Sequence, residues 1–559
     1  MKDLINDLKK FWQCKAYMIG LSLIAMGAYG FAVTHHAIGM DDTAVSLYFE
    51  EGLAPYVGRW SLFLINKIFH IGDFMPWMVE LVSVMILMLS VTLWCILWDR
   101  VGGDRLRLPA WSYVFVAGVM ISCPLISEVF VFYLHNGVCT GYGVTALALM
   151  SLIRGLEKDQ EMKKRFGNLV LSMVLLSVAL GFYESFVMVY VMGAVMVFFL
   201  LRMLYGKCGE GSRITSRFLP WAGAGILSVS GSLVIRAIVL YVLELVCQLD
   251  RLAVYDVRYR KLFGDIFTVD GELSMVLKRH FVKYYVNSIV YLPIAVLLVA
   301  FGVISICAIV WGIRKKDILM PICIGMLMLL PVGMSLVEGH VTFYRSAQYV
   351  PLVSAFAVFL VLFALYTFTK VTVLRRCVYV LLGILLFNQC MDSNRWFYVD
   401  WLKYQNAKEV MDRVAYDLRR DYDITKPIIF RGGYRVPYEV AKDVYVSFGS
   451  EEYQLISSIT DIIDVHLKEK FFAENGQGYI YGEMPIVSIL QWGTVAFDNT
   501  SEQLIRFWKM HGQDGFRCEK DLERIKEAEK IREKENMPGY PEEGYIKECD
   551  DYIIVNLHR

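Results

Sequence analysis

The chain has 559 residues, of which 56% are apolar and 14% aromatic, a composition far from that of an ordinary soluble domain. Its 56 lysines and arginines are balanced by 55 acids, and a net charge of +1 gives no basis for nucleic-acid binding. The 12 cysteines stand singly, with no CxxC and no Cys/His spacing suited to zinc.

A helix that crosses the ~30 Å hydrocarbon core needs about 20 apolar residues at ~1.5 Å rise per residue. Such stretches lie at residues 17–34, 76–98, 111–126, 138–153, 168–182, 185–204, 218–247, 288–313, 318–337, 349–368 and 378–389. An α-helical polytopic membrane protein with about 11 transmembrane helices is expected. Lys2, Lys9, Lys10 and Lys15 precede the first stretch. It lacks a small-residue cleavage site, so it reads as a permanent anchor rather than a signal peptide. Residues 168–204 would make a helix of ~55 Å, too long for one untilted span, and Gly181-Phe-Tyr-Glu184 interrupts them. Two spans joined by a tight turn are expected there. Residues 218–247 would reach ~45 Å, too short for two spans.

Lysine and arginine set the orientation. They gather in alternate loops, at Arg100, Arg105 and Arg107, at Arg154 to Arg165, at Arg202 to Arg217, at Arg314 to Lys316 and at Lys370 to Arg376. The N-terminus is therefore expected in the cytoplasm. The loop at 248–287 is also basic, but it is long enough for the charge rule to weaken, and span length places it outside. An odd number of spans then leaves the C-terminal part outside the membrane.

The outer loops carry polar groups in a suggestive pattern. After the first span come Gly39-Met-Asp41-Asp42-Thr43 and then Gly58-Arg59-Trp60. Asp41 and Asp42 suit an N-cap opening an interfacial helix. They also suit a reaction at a lipid headgroup, where one carboxylate takes a proton from an acceptor hydroxyl. Arg59 and Arg345 fit either headgroup snorkelling or phosphate binding through the planar guanidinium. Arg236 lies within an apolar span, where an ionisable group is costly unless it faces a cavity or a partner. Glu128 and Glu184 are outer-turn acids.

Gly39-Met-Asp-Asp-Thr43, Gly58-Arg-Trp60, Gly181-Phe-Tyr-Glu184 and Phe343-Tyr-Arg345 together resemble the GtrII-type bacterial glucosyltransferases, a family of the GT-C class. The similarity covers roughly residues 15–400. It implies a GT-C-like membrane fold and an inverting transfer of a hexose from a polyprenyl-phosphate donor to a glycan acceptor. It implies Asp41 or Asp42 as general base, with Arg59, Trp60, Glu128, Tyr183, Glu184, Arg236, Tyr344 and Arg345 binding substrate. Members of the class differ in using a divalent cation, and two adjacent aspartates leave magnesium or manganese open.

Charge becomes frequent after Gln389, which divides the chain into a membrane part, residues 1–390, and a small extracytoplasmic α/β domain, residues 391–559. Helical spacing marks Asn406 to Arg420, Tyr453 to Leu467 and Glu502 to His511, and Tyr545 to Leu557 reads as a terminal hairpin. Cys518 and Cys549 leave a disulfide open. Gly432-Gly433 is followed by no Lys-Ser/Thr, so it is no phosphate loop. A transporter or flippase of lipid-linked glycans, or a polymerase, is the rival reading. A transporter would be expected to show internal repeats, and none stands out.

Overall fold

The computed structural model describes residues 2–38, 58–69, 77–106, 108–130, 135–206, 212–247, 280, 292–338, 346–432, 434 and 501–557. Asp41, Asp42, Tyr344, Arg345 and the helix expected at 453–467 lie outside the described residues.

A short helix α1 (Lys2–Trp12) leads into α2 (Lys15–Thr34). There follow α3 (Trp60–Phe69), α4 (Met78–Gly102), α5 (Tyr113–Ile121) and α6 (Pro124–Phe130). Next come α7 (His135–Gly155), α8 (Met162–Phe182), α9 (Phe186–Tyr205) and α10 (Phe218–Cys247). The series closes with α11 (Leu292–Lys315), α12 (Leu319–Glu338), α13 (Tyr349–Phe368) and α14 (Thr372–Asp421). Among the described residues, 8 helices are long and apolar enough to cross a bilayer, the architecture of a polytopic membrane protein. Side chains such as Leu23, Met26, Leu227, Ile238, Leu381 and Phe387 are exposed on them, as a hydrocarbon solvent permits.

Three local outcomes refine the expected spans. The 168–204 stretch is two helices, α8 and α9, because Tyr183 is extended (φ −157°, ψ 133°) and ends the first. The 111–126 stretch breaks at Ser122-Cys123. Pro124 has no N–H to continue the ladder and instead opens α6 as its first residue. The last span leaves the apolar range at Asn394, but its helix does not stop there: α14 runs unbroken for 50 residues. Its polar residues face partners rather than ending the helix. Gln389 accepts from the Ser122 hydroxyl at 2.8 Å, Ser393 accepts from Ser127 at 2.8 Å, and Asn394 donates to the Gly27 carbonyl.

Beyond the membrane helices, β1 (Ile428–Arg431), α15 (Glu502–Met510), α16 (Leu522–Lys534), β2 (Ile546–Glu548) and β3 (Ile553–Asn556) build a small α/β unit. Strand order is β1-β3-β2, with β1 parallel and β2 antiparallel to β3. Alternation sends Ile428, Phe430, Ile553 and Val555 into one core with Leu418, Leu504 and Trp508. Ile429 and Ile554 face the other way, onto Ile525 and Ala528 of α16. Asp521 caps α16, its side chain accepting from the Glu523 N–H at 2.9 Å. Cys518 and Cys549 are not bonded to each other.

Candidate functional site

The helices alternate in direction, so the bundle has two ends. At the end where α2 finishes, an apolar cluster of Leu62, Phe63, Val79 and Phe182 ties the starts of α3 and α4 to the finish of α8. Polar side chains stand around it. Gly181 brings the end of α8 against α3 so closely that a Cβ there would lie 2.3 Å from Ser61 Oγ and 2.6 Å from Trp60 Nε1. No larger residue fits without moving them. The Ser61 hydroxyl fastens the same contact by donating to the Val178 carbonyl at 2.8 Å.

Two guanidinium groups converge on the turn between α8 and α9. Arg59 stands 5.2 Å from the centre of the Tyr183 ring, in a cation–π arrangement. Arg236 donates to Glu184 Oε1 at 2.5 Å, with the arginine side chain 9% exposed and the glutamate 44%. Arg236 comes 18 residues after Phe218, roughly 27 Å along α10. That is almost the full hydrocarbon thickness. It therefore sits in the second half of the apolar stretch, which continues to Leu243. The Tyr183 hydroxyl lies 3.3 Å from Ser346 Oγ, which follows Arg345 directly in the chain.

Of the residues expected from sequence, the structure brings together Arg59, Trp60, Tyr183, Glu184 and Arg236. Glu128 lies in α6, and its side chain is outside the description, as are Asp41, Asp42, Tyr344 and Arg345 altogether. Sequence reasoning missed Glu80, whose carboxylate is buried in the first turn of α4 against the imidazole of His36 just past α2. A lone acid at the head of an apolar span is the signal that could have found it. Glu80 and Glu184 are each paired with a basic side chain. Among the described residues no three His, Cys, Asp or Glu side chains form a cluster able to hold a metal ion.

The other end of the bundle is far richer in cations. Lys10 and Arg100 pair with Asp99 and Asp7 at 2.6 Å and 2.5 Å. Arg202 of α9 grips Asp317, just ahead of α12, through two nitrogens at 2.6 Å and 2.5 Å and also donates to the Ser216 carbonyl. Arg105 donates to the Leu204 carbonyl, and Arg154, Lys158, Arg165, Arg314 and Lys315 lie at the same helix ends.

A family model described as glucosyl transferase GtrII matches residues 30–368. No curated protein and no solved structure matches the chain. The matched segment takes in every residue of the polar cluster around Tyr183 and ends before α14 begins. The chain belongs to the GtrII glucosyl transferase family and is a glycosyltransferase.

Proposed function

We propose that the enzyme moves a hexose, glucose in keeping with its family, from a polyprenyl-phosphate donor to a cell-surface polysaccharide or lipid-linked glycan. Transfer takes place at the outer face of the cell membrane. The observation that carries this reading is the convergence of Arg59 and Arg236 on the Tyr183–Glu184 turn, where two membrane-length helices, α8 and α9, meet. Two guanidinium groups at such a turn suit phosphate oxygens. Glu184, partly open to solvent, is a partner that an incoming phosphate can replace at Arg236.

In the reaction, Asp41 or Asp42 accepts the proton of the acceptor hydroxyl as its oxygen attacks C1 of the sugar. The bond from C1 to the phosphate oxygen breaks on the opposite face, which inverts the anomeric centre. Polyprenyl phosphate leaves with the electron pair. Arg59, Arg236 and Arg345 stabilise the charge growing on it, an electrostatic contribution usually among the largest in catalysis. Trp60, Glu128, Tyr183 and Tyr344 complete the substrate site. No step here depends on a divalent ion, and the scheme also accommodates magnesium or manganese. The concentration of cations at the Arg202 end supports a cytoplasmic N-terminus. The C-terminal α/β domain then lies outside.

The test is transfer from radiolabelled polyprenyl-phosphate glucose to host cell envelopes. Either Asp41→Asn or Asp42→Asn is expected to lose on the order of 10²–10⁴ in rate, the worth of a general base. Wild-type transfer by both single variants and by the double variant would sink the reading. An engineered cysteine at exposed Asn536 should react with a membrane-impermeant thiol reagent on intact cells. Labelling only after permeabilisation would reverse the topology.

A further inference from the structure

The cations at the Arg202 end of the bundle fall into two kinds. One kind is compensated. Lys10 and Arg100 pair with Asp99 and Asp7, Arg202 with Asp317, and Lys164 with Glu161. The turn between α7 and α8 carries Glu157, Asp159 and Glu161 among its own basic residues. The second kind gathers at two neighbouring turns. Arg314 and Lys315 close α11, with Lys316 next, and Lys370, Arg375 and Arg376 flank the start of α14. Segments 311–316 and 366–380 contain no acid, and among the described residues none of the six cations is ion-paired.

The two turns meet at the end of α13, where aromatic rings support the arginines. Arg314 stands 5.9 Å from the centre of the Trp311 ring and 5.7 Å from that of Phe368. Arg375 stands 4.8 Å from the centre of the Tyr366 ring and donates to the Thr369 carbonyl at 2.5 Å. The Tyr366 hydroxyl accepts from Tyr379 at 2.7 Å, and the Tyr379 ring packs against Trp111 and Phe115. Rings so placed orient a guanidinium without neutralising it. Charge that only sets the orientation of a span needs no such support.

Apolar side chains are exposed among these cations, at Ile313, Ile318, Phe368, Val371, Val373 and Leu374. A soluble polyanion would leave them in water. A lipid offers a phosphate to the cations and acyl chains to the apolar groups. We infer that the α11–α12 and α13–α14 turns together form a docking site for the headgroup of a net-anionic phospholipid. Arg314 and Arg375 meet its phosphate oxygens, the four flanking cations add charge, and its chains lie against the exposed side of α14. The inference is independent of the proposed reaction and of which leaflet this end faces.

The test titrates the full-length detergent-solubilised protein with phosphatidylglycerol, phosphatidylcholine or inorganic phosphate, following bound lipid by native mass spectrometry. Phosphatidylglycerol should stay bound and raise the melting temperature, and the other two should do neither. Arg314→Gln with Arg375→Gln should weaken phosphatidylglycerol binding on the order of 10-fold, since each cation near an anionic lipid surface is worth roughly fivefold. If that pair fails to insert, Lys370→Gln with Arg376→Gln, both at exposed positions, tests the same patch. Lys163→Gln with Lys164→Gln, in the acid-containing α7–α8 turn, should change binding less than twofold. An equal loss in that pair would reduce the patch to the general charge of this end and overturn the site. Equal retention of phosphatidylcholine, or binding of inorganic phosphate in place of lipid, would overturn it as well.

Discussion

The two ends of the helical bundle use the same chemistry to opposite purposes. At one end Arg202 and Asp317 are 6% and 1% exposed, joined by two hydrogen bonds, with a third donated by the arginine to the Ser216 carbonyl. At the other, Arg236 is similarly buried but its partner Glu184 is 44% exposed, with the contact made by one nitrogen. A sealed, bidentate pair has no vacancy for a ligand and acts as a staple between α9 and the start of α12. An arginine buried behind a half-open glutamate keeps its charge out of bulk water while its counter-ion remains replaceable. Burial of the partner, rather than of the arginine, separates the lock from the candidate site.

That contrast can be broken by exchanging the effects of the two arginines. Arg202→Ala leaves Asp317 buried without its cation and should cost about 3–5 kcal/mol of stability, read as a lowered melting temperature of the detergent-solubilised protein. Replacing both partners with apolar residues, Arg202→Met with Asp317→Leu, should recover most of that loss. Arg236→Ala should instead lower transfer by on the order of 10²–10³, the usual cost of removing one charge-stabilising donor. Its melting temperature should change little, since Glu184 can hydrate. If Arg202→Ala were stable and inactive while Arg236→Ala were unstable and active, the assignment of the two ends would be reversed.

Smaller substitutions sharpen the same comparison. Gly181→Ala pushes a methyl group into Ser61 and Trp60 and should cost about 1–3 kcal/mol through overpacking. Because Arg59 sits beside Trp60, donor KM should rise in the same variant. Lys10→Ala removes a pair whose lysine is 48% exposed. It should change stability by no more than about 1 kcal/mol, with transfer unaffected, as measured by the same melting and radiolabel assays.

Much of this was legible in the chain. The length argument at 168–204, with Gly181-Phe-Tyr-Glu184 as the break, placed a turn where α8 gives way to α9. The four short motifs pointed to the family that the match over residues 30–368 establishes. Other readings were drawn too coarsely. The drop in hydropathy near Gln389 does not end a helix, because Gln389, Ser393 and Asn394 satisfy their polar groups sideways, on α2 and the α5–α6 region. Glu80 passed unnoticed because one acid scarcely lowers the average of a long apolar window.

The sequence by itself determined the membrane class, the approximate places of 8 of the 11 expected spans, the alternation of basic loops and the family. All of these depend on local runs of apolar or charged residues, which a bilayer reads directly. Only the tertiary structure decided the partners. Arg236 meets Glu184 across 52 residues, His36 meets Glu80 on the next long span, and Ile38 enters a core built mainly from residues beyond 400. Such pairings depend on the rotation and tilt of each helix, which packing against its neighbours sets and no single stretch of sequence encodes.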